Sequence, residues 1–214
     1  MPFDNIILDF DGTITDSRRD IARAQLWALE QVGVPPRPEE ELYPLMGLPL
    51  EETFRRVLPP ALHGRIPEAA ALYAGYYPSR SLLTTRLFPG VRETLERLRS
   101  RGKKLAVAST KRGAGIQRAT DHFGITHLFD RLQGSEGLPF KPDPAVVRAV
   151  LEGEGWNPAA TIMVGDTAMD VIAGKRAGSA TCGVTYGASG EQELRAAGPD
   201  YLIGEFPALE SVVA

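Results

Sequence analysis

A chain of 214 residues that is 43% hydrophobic and 24% charged can bury a sizeable core, and its composition excludes a disordered tract or a coiled coil as its main state. Its net charge of −3 offers no broad cationic field for a polyanionic duplex, so no nucleic-acid partner is expected. Cys182 is the single cysteine, which rules out an intramolecular disulfide, suits a reducing cytoplasmic setting and reads as a small apolar filler in a strand.

The amino terminus runs Met-Pro-Phe-Asp-Asn into Ile6-Ile7-Leu8 with no basic segment and no long apolar stretch, so no signal peptide is expected. No run of about eighteen apolar residues occurs, and no membrane span is expected. Asn5-Ile6-Ile7-Leu8-Asp9-Phe10 is a short apolar run ended by Asp11-Gly12, the pattern of a buried strand stopping in a turn.

Residues 16–84 hold no convincing strand. Asp16 or Ser17 can cap a helix whose apolar residues Ile21, Ala24, Leu29 and Val32 precede Gly33. Val34-Pro35-Pro36-Arg37-Pro38 is a stiff connector, and three further helical stretches are expected near 38–46, 50–58 and 67–77.

From Phe88 onward, strand-like runs at 104–109, 131–134, 161–165, 180–185 and 200–203 alternate with helical patterns. Val91, Leu95 and Leu98 form one such pattern, and Val146, Val147, Val150 and Leu151 form another. The alternation predicts an α/β fold with a doubly wound parallel sheet built from residues 1–15 and 85–214, interrupted by an all-helical insertion over 16–84.

Four short motifs carry chemistry. Asp9-Phe10-Asp11-Gly12-Thr13 places two carboxylates at the end of an apolar strand, where buried charge is costly unless paired. A hard cation such as Mg²⁺ takes oxygen ligands of this kind, and an acidic turn that caps a helix is the alternative. Gly165-Asp166-Thr167-Ala168-Met169-Asp170 is a second acidic cluster after an apolar strand, readable as metal ligands or as a helix cap.

Ser109-Thr110-Lys111 puts hydroxyls just ahead of a helix, either as a phosphate cradle or as a cap. Lys141-Pro142-Asp143-Pro144 places a lysine where it can neutralise a phosphoryl oxygen, with a solvated surface lysine as the bland alternative. All four motifs fall at the carboxyl ends of expected strands, which is where open α/β sheets bind ligands. His63, His122 and His127 lie outside every motif, and Trp27 and Tyr73 read as packing residues.

In order and spacing, Asp9-x-Asp11-Gly12-Thr13, Ser109, Lys141-Pro142 and Gly165-Asp166-(x)3-Asp170 resemble the four motifs of haloacid dehalogenase-type phosphatases, with residues 16–84 similar to their helical cap. Leu45-Met46-Gly47-Leu48-Pro49-Leu50-Glu51-Glu52-Thr53 and Phe88-Pro89-Gly90-Val91 resemble the phosphoglycolate phosphatase branch in particular. Relatives in that branch often carry Thr-Asn-Lys where this chain has Ser109-Thr110-Lys111. Mutase-type relatives usually carry Val at Thr13, and dehalogenases proper lack the acid at Asp11.

The resemblance implies that Asp9 attacks phosphorus, that Asp11 protonates the leaving oxygen and then activates water, and that Ser109 and Lys141 hold the phosphoryl group. It implies Mg²⁺ held by Asp9, the Asp11 carbonyl and Asp166, with Asp170 at the edge of the metal site. Gly12, Thr13, Thr110 and Gly47 are the expected substrate-binding positions; the Gly47-Leu48-Pro49 turn can bring backbone close to a ligand. The expected partner is a small phosphorylated metabolite such as phosphoglycolate or a sugar phosphate, handled by a monomer or homodimer. Rival readings are a pyrophosphatase or phosphomutase-type phosphotransferase on the same machinery, and a phospho-accepting signalling module. The last is opposed by the helical insertion and by the acid two residues after Asp9.

Overall fold

The computed structural model describes residues 3–214; Met1 and Pro2, which enter the reading of the amino terminus, lie outside the described residues. The elements run β1 (Asn5–Leu8), β2 (Thr15–Asp16), α1 (Arg18–Gln31), α2 (Leu50–Val57), α3 (Ile66–Tyr76), β3 (Arg86–Leu87), α4 (Val91–Ser100) and β4 (Lys104–Ala108). They continue with α5 (Gly113–His122), β5 (Arg131–Gln133), α6 (Ala145–Glu154), β6 (Thr161–Gly165), α7 (Ala168–Ala177), β7 (Ala180–Val184), α8 (Glu191–Ala197), β8 (Tyr201–Ile203) and α9 (Leu209–Val212). The chain forms two compact units, one of Met1–Asp16 with Leu87–Ala214 and one of Ser17–Arg86.

In the first unit, β1, β4, β5, β6, β7 and β8 form one parallel sheet in the order β5-β4-β1-β6-β7-β8. The doubly wound parallel sheet expected from the alternating pattern is therefore present. Ile6, Ile7 and Leu8 are completely buried, which explains why β1 reads as an unbroken apolar run rather than an alternating one. Ile7, Ala106, Ala108 and Met163 share a core cluster with Val146, Val147, Val150 and Leu151 of α6 and with Ala173 and Ala177 of α7. Each large aliphatic side chain buried this way stabilises the fold by about 1.5–3 kcal/mol.

The second unit is built from α1, α2 and α3. Ala28, Leu29 and Val32 from the α1 end gather with Phe54, Leu58, Ile66 and Ala69 into its core, and Trp27 packs at the edge, its ring 4.1 Å from that of Tyr76. Helix α1 stops at Gly33, whose φ of 86° lets Val34 donate its N–H back to the Leu29 carbonyl at 3.0 Å.

The helix expected over 38–46 is instead two single 3₁₀ turns, Glu39–Glu41 and Tyr43–Leu45. Pro44 lacks the N–H that a continuous helix would need there. The two-residue strands β2 and β3 also have no counterpart in the sequence expectation, because two residues are too few to show an alternation.

One buried carboxylate ties the two ends of the helical unit. Asp20 on α1, only 3% exposed, accepts from the Thr84 N–H at 3.0 Å, the Thr84 hydroxyl at 2.7 Å, the Thr85 N–H at 2.9 Å and the Thr85 hydroxyl at 2.7 Å. Burial alone would raise its pKa, but these donors outweigh burial and hold it below the usual carboxylate range.

Asp20→Ala is predicted to lower the stability of the protein in urea unfolding by about 2–4 kcal/mol, since several buried donors lose a charged acceptor together. Because the folded pKa lies below the unfolded one, the contribution is present above the unfolded pKa and is lost as pH falls through the folded value. The gap between wild type and Asp20→Ala should therefore narrow below about pH 4.

Candidate active site

Parallel pairing places Leu8 of β1 beside Val107 of β4 and Val164 of β6. The residues that follow these three strands therefore leave the sheet at one end and at one level. β1 is also where the winding reverses, since β4 and β5 lie to one side and β6, β7 and β8 to the other. The crevice at such a reversal, outside the carboxyl ends of the strands, is the natural ligand position of an open α/β sheet.

Asp9 leaves β1 with its N–H on the Val164 carbonyl at 2.8 Å, and the chain then turns tightly, with Gly12 donating its N–H to the Thr15 carbonyl at 2.8 Å. Gly12 has a φ of 88°, and a Cβ there would lie 2.1 Å from the Asp166 carboxylate, so the turn admits only glycine. Thr13 is fully buried and donates its hydroxyl to Asp166 Oδ1 at 3.3 Å. Ser109, 1% exposed, directly follows β4 and accepts the Lys111 N–H on its Oγ at 3.3 Å, while the Thr110 carbonyl accepts the Ser135 hydroxyl at 2.7 Å. Helix α5 begins later, at Gly113 with Arg112 as its cap residue, so the two hydroxyls precede the helix and do not cap it.

Lys141 is the electrostatic centre of the site. It is buried, and its Nζ donates to Asp9 Oδ1 at 2.8 Å and to Asp170 Oδ1 at 2.6 Å. Burial would lower the pKa of this ammonium, but the Asp170 and Asp9 carboxylates more than reverse that and keep it charged.

Asp170 has a second task. Its Oδ2 accepts the Thr167 N–H at 3.0 Å and the Thr167 hydroxyl at 2.6 Å, in a reciprocal cap at the start of α7. The two sequence readings of this motif, helix cap and acidic site, thus coexist in one side chain.

Asp9, Asp166 and Asp170 each offer a carboxylate oxygen within 4.8 Å of the others, and all three are buried. Three carboxylates against the single Lys141 ammonium leave this cluster two negative charges in excess. Burial first, and the crowding of like charges after it, disfavour the ionised forms of its members. Burial, with the Asp170 charge adding to it, pushes Asp9 up to about 6 against the pull of Lys141. Asp166 is raised well above the usual carboxylate range by burial and by the Asp170 and Asp9 charges. A hard divalent cation would balance the surplus, and an all-oxygen donor set at a strand edge fits one.

Asp11 faces elsewhere. Its carboxylate meets Lys111 Nζ at 2.9 and 3.2 Å. Gly47 belongs to the helical unit, where it occupies an exposed turn with a φ of 91° ahead of α2. The site also has residues that the sequence reading did not single out, all in the loop after β7. Ala188 donates its N–H to Asp166 Oδ2 at 2.7 Å, and Tyr186 donates its hydroxyl to the Thr13 carbonyl at 2.9 Å. A Cβ on Gly187 would lie 2.4 Å from Asp166 Oδ2 and 2.6 Å from the Gly12 carbonyl. The available signal was Gly187-Ala188-Ser189-Gly190, a small-residue tract just beyond an apolar strand that ends at the same sheet edge. Cys182 is buried inside β7, which pushes its thiol up to about 12 and leaves it a packing residue.

Residues 6–184 match the model of the haloacid dehalogenase-like hydrolase family, and the chain belongs to that family. It is 32% identical over 220 residues to a phosphoglycolate phosphatase of Haemophilus influenzae, spanning 99% of this chain and 98% of that one. It is also 32% identical over 213 residues to a 5'-nucleotidase of Pseudomonas aeruginosa, with 99% and 96% of the two chains covered. Among solved structures, a haloacid dehalogenase-like hydrolase from Streptococcus pneumoniae superposes with a TM-score of 0.88 at 29% identity, over 98% of this chain and 97% of the other. No helix among the described residues is long and apolar enough to cross a membrane.

Two predictions concern the cation. Protons compete for Asp9 below about pH 6, so divalent-cation affinity measured by calorimetry should fall as pH is lowered through that value, with proton uptake by the buffer on binding. Gly187→Ala should displace Asp166 and weaken cation binding by about ten-fold or more. Cooperative thermal unfolding would establish that the variant is folded.

Proposed function

We propose that this protein is a Mg²⁺-dependent phosphatase that hydrolyses a small phosphomonoester through a phosphoryl intermediate on Asp9. The observation that carries the reading is the buried Lys141 ammonium held 2.8 Å from Asp9 Oδ1, at the winding reversal of a parallel sheet. A carboxylate there faces the crevice, and a cation beside it draws in the phosphoryl oxygens of a substrate.

Asp9 supplies a carboxylate oxygen to phosphorus, the ester oxygen departs with the bonding electron pair, and Asp11 gives that oxygen a proton. Asp11 then takes a proton from the water that attacks the phosphorus of the acyl phosphate, which returns Asp9 and releases inorganic phosphate. The Lys141 ammonium and the Ser109 hydroxyl hold the phosphoryl oxygens through both displacements. Splitting one difficult displacement into two gives each step a well-placed partner. Mg²⁺, bound by Asp9, Asp166 and the Asp11 carbonyl with Asp170 at the edge, would supply positive charge to the phosphoryl oxygens.

The substrate class is supported by the family and by relatives that include a phosphoglycolate phosphatase and a 5'-nucleotidase. Phosphoglycolate and sugar phosphates are the substrates we put first. Asp9→Asn should abolish turnover of every phosphomonoester in a metabolite panel while the protein still unfolds cooperatively, because an amide is nearly isosteric but a poor nucleophile. Turnover by folded Asp9→Asn at the wild-type rate would contradict the proposed reaction. Asp11→Asn should lower kcat for alkyl phosphates by about 10²–10⁴-fold, the usual range for a general acid and base.

A further inference from the structure

The two lysines of the site pair with different carboxylates. Lys141 is committed to Asp9 and Asp170, at 2.8 and 2.6 Å. Lys111 reaches Asp11 instead, with its Nζ 2.9 Å from Oδ2 and 3.2 Å from Oδ1, and its side chain is only 10% exposed. Asp11 is not one of the three carboxylates that cluster about the cation position among the described residues. Its side chain is thus drawn out of that cluster toward the loop after β4.

That loop is built to hold the lysine. The Lys111 N–H rests on Ser109 Oγ at 3.3 Å, and its carbonyl accepts the Ser135 N–H at 3.4 Å. Its stem lies across the first turn of α5 at Gly115, where a Cβ would be 3.4–3.7 Å from Cε, Cγ and Cδ. A long flexible side chain packed along its length and anchored at its backbone presents its ammonium in a restricted place, at less entropic cost than a free one.

We infer that Lys111 is a positioning residue that holds the Asp11 carboxyl on the leaving-group side of the reacting phosphorus. The inference rests on the proposed reaction and deepens it. When the phosphorus–ester oxygen bond breaks, its electron pair goes to the ester oxygen, which takes the Asp11 proton; Asp11 becomes a carboxylate, and the Lys111 ammonium is already beside it. Lys111 transfers no proton. It keeps the new carboxylate where the incoming water will need a base.

This role has a signature that a structural role lacks, since the benefit of a placed acid scales with how badly the leaving oxygen needs a proton. The parameter kcat/KM reports phosphoryl transfer to Asp9 and is the quantity to compare. In the intact enzyme with Mg²⁺, Lys111→Met should lower kcat/KM for a two-carbon alkyl phosphate roughly ten-fold more than for p-nitrophenyl phosphate, whose leaving group departs unprotonated. Lys111→Arg should recover most of the loss, and Lys111→Gln, measured alongside, should behave as the Met variant does. In an Asp11→Asn background, Lys111→Met should change kcat/KM for either ester by less than about two-fold.

Equal losses on the two esters, or full additivity with Asp11→Asn, would overturn the positioning role while leaving the proposed reaction standing. If Asp11→Asn itself showed no preference for the activated ester, the acid role of Asp11 would fail, and the positioning role with it.

Discussion

The constraint on which this structure turns is the burial of an ammonium between two carboxylates at the end of a parallel sheet. Removing charges from water costs several kcal/mol per ion, and that cost is recovered only with close geometry and satisfied hydrogen bonds. Lys141 meets both conditions, with contacts of 2.8 Å to Asp9 and 2.6 Å to Asp170. Asp170 is fixed in turn by the cap at the start of α7, so one side chain starts a helix and anchors the buried lysine. The arrangement is nevertheless incomplete in charge, because Asp166 adds a third carboxylate with no ammonium of its own. Three buried carboxylates against one ammonium make a donor set that a divalent cation would fit.

The sheet supplies the precision. Leu8, Val107 and Val164 are level neighbours in register, so the chain segments that leave the three strands diverge from adjacent starting points. Two glycines then let backbone pass close to the Asp166 carboxylate from the β1 turn and from the loop after β7. With Thr13 and the Ala188 N–H each donating to one of its oxygens, Asp166 has little freedom to turn. Carboxylates held in place this way have little left to reorganise.

Much of this was legible in the sequence for a physical reason. Strands buried on both faces read as continuous apolar runs, and Ile6-Ile7-Leu8 and Ile162-Met163-Val164 therefore announce themselves, as do the acidic groups placed directly behind them. The haloacid dehalogenase-like family was legible through the resemblance of the four motifs, in order and spacing, to those of its phosphatases. What stayed hidden depends on contacts across long chain separations. Nothing local tells Lys111 that it will meet Asp11, a hundred residues earlier, or Asp20 that it will tie Thr84 and Thr85. The loop carrying Tyr186, Gly187 and Ala188 was obscure because backbone donors and missing side chains leave only a weak compositional trace. The stretch around Pro44 misled in the opposite sense, since the helix expected over 38–46 is interrupted where proline lacks an N–H.

The central claim is that the phosphoryl group passes through Asp9, and the intermediate itself can be sought. The enzyme would be mixed with a phosphomonoester radiolabelled in its phosphoryl group, together with Mg²⁺, and quenched in acid during turnover. The protein would then be digested and the label mapped by mass spectrometry. Covalent label on the peptide containing Asp9, formed fast enough to account for turnover and chased off by unlabelled substrate, is the predicted result. Sustained turnover with no label on the protein, or label on a peptide lacking Asp9, would contradict the account.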